Sequence, residues 1–194
     1  MKLILCAALV WLIVWLNTGS LVYANDDSAE EITAEYKQGI YYLQANFVVE
    51  SSAESVVAAL TDYENITELH PSIIESEILE NNIDTNKVRI RTVVKDCALF
   101  FCKKITRVEN ITQHAFESID AEVVPFLSDL RSGHTSWKFV SDDGYTKVSY
   151  QATMQPKFWI PPVVRSRTVT KKFIKRIEEI VQRLQMIAPN YHTK

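Results

Sequence analysis

The chain has 194 residues, with 21 Lys and Arg against 24 Asp and Glu, a formal net charge of −3 and 47% hydrophobic residues. That length and composition fit one domain with a sizeable core and exclude a disordered or low-complexity chain. The mild acidity, with no recognisable nucleic-acid motif, excludes nucleic acid as the main partner.

The first 24 residues are set apart from the fold. Lys2 gives a short basic start, Leu3 to Leu16 carries no charge, and Asn17-Thr18-Gly19-Ser20 breaks the apolar run before Val22-Tyr23-Ala24. This is the layout of a cleaved secretory signal peptide, and the run is short for a membrane span of about 20 residues. Retention as an uncleaved anchor is the alternative. The expected organisation is a signal peptide over 1–24, a polar flexible segment over 25–35, one domain over 36–188 and a tail over 189–194. An exported chain works in the periplasm or otherwise outside the cytoplasm. Cys97 and Cys102 are the only cysteines beyond the leader. In an oxidising compartment the pair can staple the tip of a hairpin. A metal site is the competing reading, but no His or Cys nearby completes a recognisable ligand spacing.

Tyr41 to Val49 alternates as a strand, with Tyr41, Leu43, Ala45, Phe47 and Val49 on one face. Ser51 and Glu54 form a capping-box signal ahead of the apolar Val56, Val57 and Leu60. Asn65 to Pro71 reads as a second short helix. The period then changes to two. Strand-like stretches follow over Ile73–Leu79, Val88–Val94, Phe100–Val108, Ala115–Val124, the region from Thr135 to Phe139, and Tyr145–Met154. Asp142-Asp143-Gly144 marks a hairpin turn. From Phe158 to Ile187 the apolar stripe of Val169, Phe173, Ile177, Ile180, Leu184 and Ile187 predicts a long amphipathic helix, with Pro161 or Pro162 at its start and Pro189 after its end. No crossover helix interrupts the later strands. The expected fold is therefore α+β: a curved antiparallel sheet of about seven strands around a long C-terminal helix, with two short helices after the first strand.

Three stretches in this order carry a family likeness: Ser51 to Tyr63 followed by His70-Pro71; Arg131 to Trp137 with Asp142 to Val148 behind it; and Pro156-Lys157-Phe158-Trp159-Ile160-Pro161-Pro162 opening the helix. On them the chain resembles the START-like (SRPBCC) superfamily of polyketide cyclases, dehydrases and lipid-transport proteins, in particular small bacterial members related to coenzyme-Q-binding proteins. The resemblance implies a helix-grip fold with a hydrophobic cavity between sheet and helix, and binding or transfer of a lipid or isoprenoid-like ligand without a cofactor. The wall residues expected from it are Leu60, Tyr63, Leu69, Ile90, Phe100, Phe116, Trp137, Tyr150, Phe158, Trp159 and Phe173.

Polar candidates stand beside these. Arg91, Asp120, Arg131 and His134 can orient a ligand head if they turn inward; on the solvent face they are ordinary cross-strand charges. Arg165, Arg167, Lys171 and Lys172 lie beside the aromatic Phe158-Trp159 corner and can meet an anionic membrane surface, or simply form a solvated helix face. No nucleophile, paired carboxylate or orienting group has a diagnostic spacing to any His, so no catalytic residue is assigned. An enzyme of the cyclase/dehydrase type and an envelope accessory protein are the alternatives to a ligand carrier.

Overall fold

The computed structural model describes residues 31–82, 85–98 and 100–191. The proposed signal peptide lies outside the described residues. Eight strands form one antiparallel sheet in the order β1-β2-β8-β7-β6-β5-β4-β3. They span Glu31–Lys37 (β1), Ile40–Val49 (β2), Ile73–Asn82 (β3), Lys87–Ala98 (β4), Phe101–His114 (β5), Ser118–Val123 (β6), Leu130–Asp142 (β7) and Tyr145–Pro156 (β8). Strands β2 and β3 are consecutive in sequence yet lie far apart in the sheet. The link between them carries helix α1 (Ala53–Thr61) and a 3-10 turn at Ile66–Glu68. It closes the concave side, along which the C-terminal helix runs.

Eight strands are present rather than about seven because residues 31–35, placed in the flexible segment, join Tyr36 and Lys37 in a strand that pairs in register with β2 from Glu31–Asn46 to Lys37–Ile40. Their turn is made by Gln38 and Gly39, both at positive φ, a two-residue hairpin geometry. Asp143 and Gly144 do the same between β7 and β8, as the sequence predicts. On β2, Tyr41, Leu43, Ala45, Phe47 and Val49 are all buried, so strict alternation sets the inner face. The cap of α1 falls one residue later than expected: Ser52 Oγ accepts from the Ser55 N–H at 3.2 Å. Ser51 is instead held in the sheet margin, where its carbonyl accepts from Thr146 Oγ1 at 2.7 Å.

The C-terminal run is bent. Pro161 and Pro162 lead into a single turn, α2 (Pro162–Arg165), and the backbone breaks at Ser166 before α3 (Arg167–Ile187). Twenty-one residues of α3 span about 32 Å. Its Ile177, Val181 and Leu184 are buried, with Val169, Phe173, Ile180 and Ile187 packed against the same core.

Polar contacts fasten α3 across the open side of the sheet. His70 is buried, and its Nδ1 accepts from the Ser72 N–H at 3.0 Å. That assigns the proton to Nε2, which donates to Glu179 Oε2 at 2.6 Å. Farther along, Arg176 pairs with Asp96 of β4 at 2.5 Å, and Lys172 reaches the same carboxylate at 3.5 Å. Cys97 and Cys102 are register partners at the end of the β4–β5 hairpin and form a disulfide.

Candidate functional site: a cavity between sheet and helix

Between the concave sheet and α3 lies a cavity of about 240 Å³. Sheet alternation determines which side chains reach it. From β5 these are Phe101, Lys103, Ile105, Arg107, Glu109 and Ile111, every second residue of one strand. Leu60, Tyr63 and Leu69 close one end; Phe158, Ile160, Val169 and Phe173 lie toward the other. Ile90, Trp137 and Tyr150 form the wall between them, the last two with ring centroids 4.3 Å apart.

Eight of the expected wall residues therefore line one space, and three do not. Phe100 is 77% exposed at the β4–β5 tip, and its neighbour Phe101 turns inward. Phe116 sits exposed in the β5–β6 turn. Trp159 is 70% exposed, while Phe158 and Ile160 on either side face the cavity. In each case the strand or turn parity differs by one position from the expectation.

None of the expected head-group residues reaches the cavity. Arg91 lies on the outer face, 3.2 Å from Glu75 and 4.0 Å from Glu77. His134 is also outside, 3.1 Å from Glu122 and 4.0 Å from Asp120. Arg131 is exposed at the start of β7. Lys172 is directed at Asp96 rather than outward with Arg167 and Lys171.

The cavity has a different polar centre. Glu109 on β5 has a side chain only 4% exposed, and its Oε2 lies 2.8 Å from Nε of Arg107 on the same strand and face. That approach is off the line of a hydrogen bond, so the buried Nε–H of Arg107 is left without an acceptor; the same holds for Nε–H of Arg176. Two phenols adjoin this pair. Burial pushes the Tyr150 hydroxyl up to about 12, with Arg107 opposing and Glu109 adding to the shift. Burial and then Glu109 push Tyr63 up as well. Both remain protonated at neutral pH and act as neutral hydrogen-bonding groups. Lys103 lies over the Phe158 ring at 4.6 Å. The sequence expectation ends this strand at Val108, which leaves Glu109 outside it and Arg107 without a visible partner on its face. The shared parity of Ile105 and Ile111 is the signal that the strand continues.

Among the described residues, no cluster of His, Cys, Asp and Glu could hold a metal, and no helix is long and apolar enough to cross a membrane.

The family described as polyketide cyclase / dehydrase and lipid transport matches residues 43–187, from β2 to the end of α3. The chain belongs to this family. Among solved structures, a protein from Thermus thermophilus superposes with a TM-score of 0.64 at 17% identity, covering 78% of this chain and 99% of that one. A START superfamily protein from Mycobacterium smegmatis gives 0.61 at 16%, with 78% and 99% covered. A STAR-related lipid transfer protein from Xanthomonas axonopodis gives 0.60 at 18%, with 80% and 98% covered. At these identities the likeness is one of fold. No curated protein sequence matches the chain. Membership of the polyketide cyclase/dehydrase and lipid-transport family places its cavity in the position where that fold binds hydrophobic ligands.

Proposed function

We propose that this protein binds, and passes on, one slender lipid or isoprenoid-like molecule whose head carries a carbonyl or hydroxyl oxygen. The observation that carries this reading is the Arg107–Glu109 pair, 2.8 Å apart, beside the protonated phenols of Tyr63 and Tyr150 in an otherwise largely apolar cavity. The guanidinium of Arg107 and the two phenols carry N–H and O–H donors that a ligand oxygen can accept from. Arg107 and Glu109 offset each other's charge, as do Arg176 and Asp96, which favours a neutral head between them; Lys103 lies apart, over the Phe158 ring. The cavity volume lies below the roughly 300–1,000 Å³ of drug-sized sites, which favours one chain over two. The sequence likeness to coenzyme-Q-binding relatives supports an isoprenoid tail. The leader over residues 1–24 and the Cys97–Cys102 disulfide support action outside the cytoplasm, in the periplasm of a two-membrane cell.

Native mass spectrometry of the protein prepared without detergent, paired with analysis of its solvent extract, tests this. The reading predicts one apolar, oxygen-bearing molecule per chain, released on unfolding. A chain that is always empty and takes up no prenyl or acyl compound contradicts it. Recovery of a chemically converted product, lost in Glu109→Gln, supports the cyclase/dehydrase alternative instead.

A further inference from the structure

The strand pairings gather one set of loops at a single end of the molecule. The β1–β2 turn, the β4–β5 tip, the β6–β7 loop and the exit from β8 all lie there. It is also the end that Phe101, Phe158 and Ile160 of the cavity face. Three of these connections carry large apolar side chains into solvent. Phe126 is 96% exposed and Leu127 beside it is exposed, both in the 3-10 turn Pro125–Leu127. Trp159 and Val163 are exposed around the α2 corner, and Phe100 at the disulfide-closed tip. Lys157 ties two of these loops together, its Nζ donating to the Pro125 carbonyl at 2.5 Å and its N–H to the Asp129 carbonyl at 2.9 Å. Folding leaves these side chains in water, although a chain of this composition has core enough to bury others.

The charges at this end are one-sided. Lys104, Lys157, Arg167 and Lys171 are exposed, and none is in an ion pair among the described residues. The nearby carboxylates are engaged: Asp96 by Arg176 and Lys172, Asp129 by the Thr106 N–H, and Glu35 by Lys37. The opposite end is mixed: Glu50, Glu117, Asp142 and Asp143 stand there with Lys87, Lys138 and Lys147, the last paired with Asp142. Exposed cations outside ion pairs thus surround the aromatic tips of a net-negative chain.

We infer that this end is a docking surface for an anionic lipid bilayer, with Phe126, Trp159 and Phe100 entering the headgroup–acyl boundary and the lysines and arginines resting on the headgroups. The charge complementarity selects the occupant. An apolar protein partner would not need unpaired cations around the patch, whereas aromatic tips ringed by Lys and Arg match an interface that is apolar below and negative above. Each cation near such a surface contributes on the basis of charge alone, so salt opposes the contact. Docking in this orientation sets the cavity end against the membrane. The inference concerns the surface and stands whether the cavity is filled or empty.

Hydrogen–deuterium exchange of the full chain, with and without vesicles, reads the contact locally. With phosphatidylglycerol vesicles, exchange is expected to slow in 100–104, 124–128 and 157–171, while the 114–118 and 142–145 turns are unchanged. Neutral phosphatidylcholine vesicles, or salt near 1 M where the screening length falls to about 3 Å, should abolish most of the protection. Phe126→Asp with Trp159→Asp should lose it; both positions are exposed, and an unchanged melting curve verifies the fold. A second variant, Lys157→Gln with Arg167→Gln and Lys171→Gln, should bind both vesicle types alike. Protection absent from the three segments, equal on the two lipids, or retained in the Asp variant overturns the inference. Because the readout is local, attachment through residues 1–24 alone counts as absence of protection.

Discussion

Arg107 and Glu109 form a charge pair that the cavity can hold only as a pair. Replacing Arg107 with Met leaves a carboxylate that is 4% exposed without its partner. Loss of one member of a buried ion pair costs about 3–5 kcal/mol; the low end applies because Arg107 is one-third exposed. Arg107→Met should therefore lower stability by about 3 kcal/mol in urea titrations, and adding Glu109→Leu should restore most of it. The double variant should still accept an apolar chain but lose preference for an oxygen-bearing head. Neither residue is singled out in the sequence, where Arg107 falls inside the expected strand and Glu109 just past its end, whereas Arg91 is a candidate head contact. What separates Arg107 from Arg91 is which face of the sheet each strand presents, a property of strand length and register rather than of residue type.

Two other single residues carry tests. A Cβ on Gly133 would lie 2.7 Å from Val123 Cγ2 and 3.2 Å from the Thr153 carbonyl. Gly133→Ala should cost about 1–3 kcal/mol, as overpacking does, and Val123→Ala in the same chain should relieve part of it. Glu179 is held below its ordinary value of 4.5 first by the hydrogen bond from His70, with burial opposing and Lys175 assisting. A carboxyl depressed in the folded state stabilises above its unfolded value and loses that contribution as pH falls through the folded one. The melting midpoint of the unmodified chain should therefore exceed that of Glu179→Gln at neutral pH, and the gap should close as pH drops below about 4.5. A constant gap would show that the carboxylate's charge plays no part in fastening α3.

At the scale of elements, the β4–β5 hairpin and the α2–α3 corner border one end of the cavity. The hairpin contributes Asp96, Phe101 and Lys103 to the wall, and its tip is closed by a disulfide of sequence separation 5. So short a loop limits the entropic gain to about 2 kcal/mol, and an already paired hairpin lowers it further. Cys97→Ser with Cys102→Ser should thus shift global stability little. It should speed amide exchange over 95–104 and accelerate ligand release. These elements were legible in unequal measure. The alternation of Tyr41 to Val49 and the stripe from Val169 to Ile187 follow from periodicity, and Asp143-Gly144 from turn chemistry. The strand at Glu31–Lys37 was not expected, although its signal is present: Ile32, Ala34 and Tyr36 alternate with Glu31, Thr33, Glu35 and Lys37 and pack on the core, while the charged outer half gives the stretch the composition of a loop. The break at Ser166 was hidden too, since the apolar stripe on either side does not register a local change in backbone angle.

For the whole molecule, the helix-grip arrangement follows from a long amphipathic helix meeting strands with no crossover helices among β3 to β8. The apolar interior is larger than α3 can fill, and the space left over is the cavity. That the space exists was an expectation of the family likeness; its polar centre came from structure alone. The central claim, that this space accepts one amphiphile, is tested most directly by titrating a fluorescent polyene fatty alcohol into the unmodified chain and into Ala121→Trp. Ala121 lines the cavity from β6, so an indole there occupies the volume without touching the outer surface or the basic end. The account predicts saturable 1:1 fluorescence enhancement in the unmodified chain and its loss in Ala121→Trp, with the melting midpoint kept or raised. Equal enhancement in both proteins would place the probe on the surface and contradict the claim.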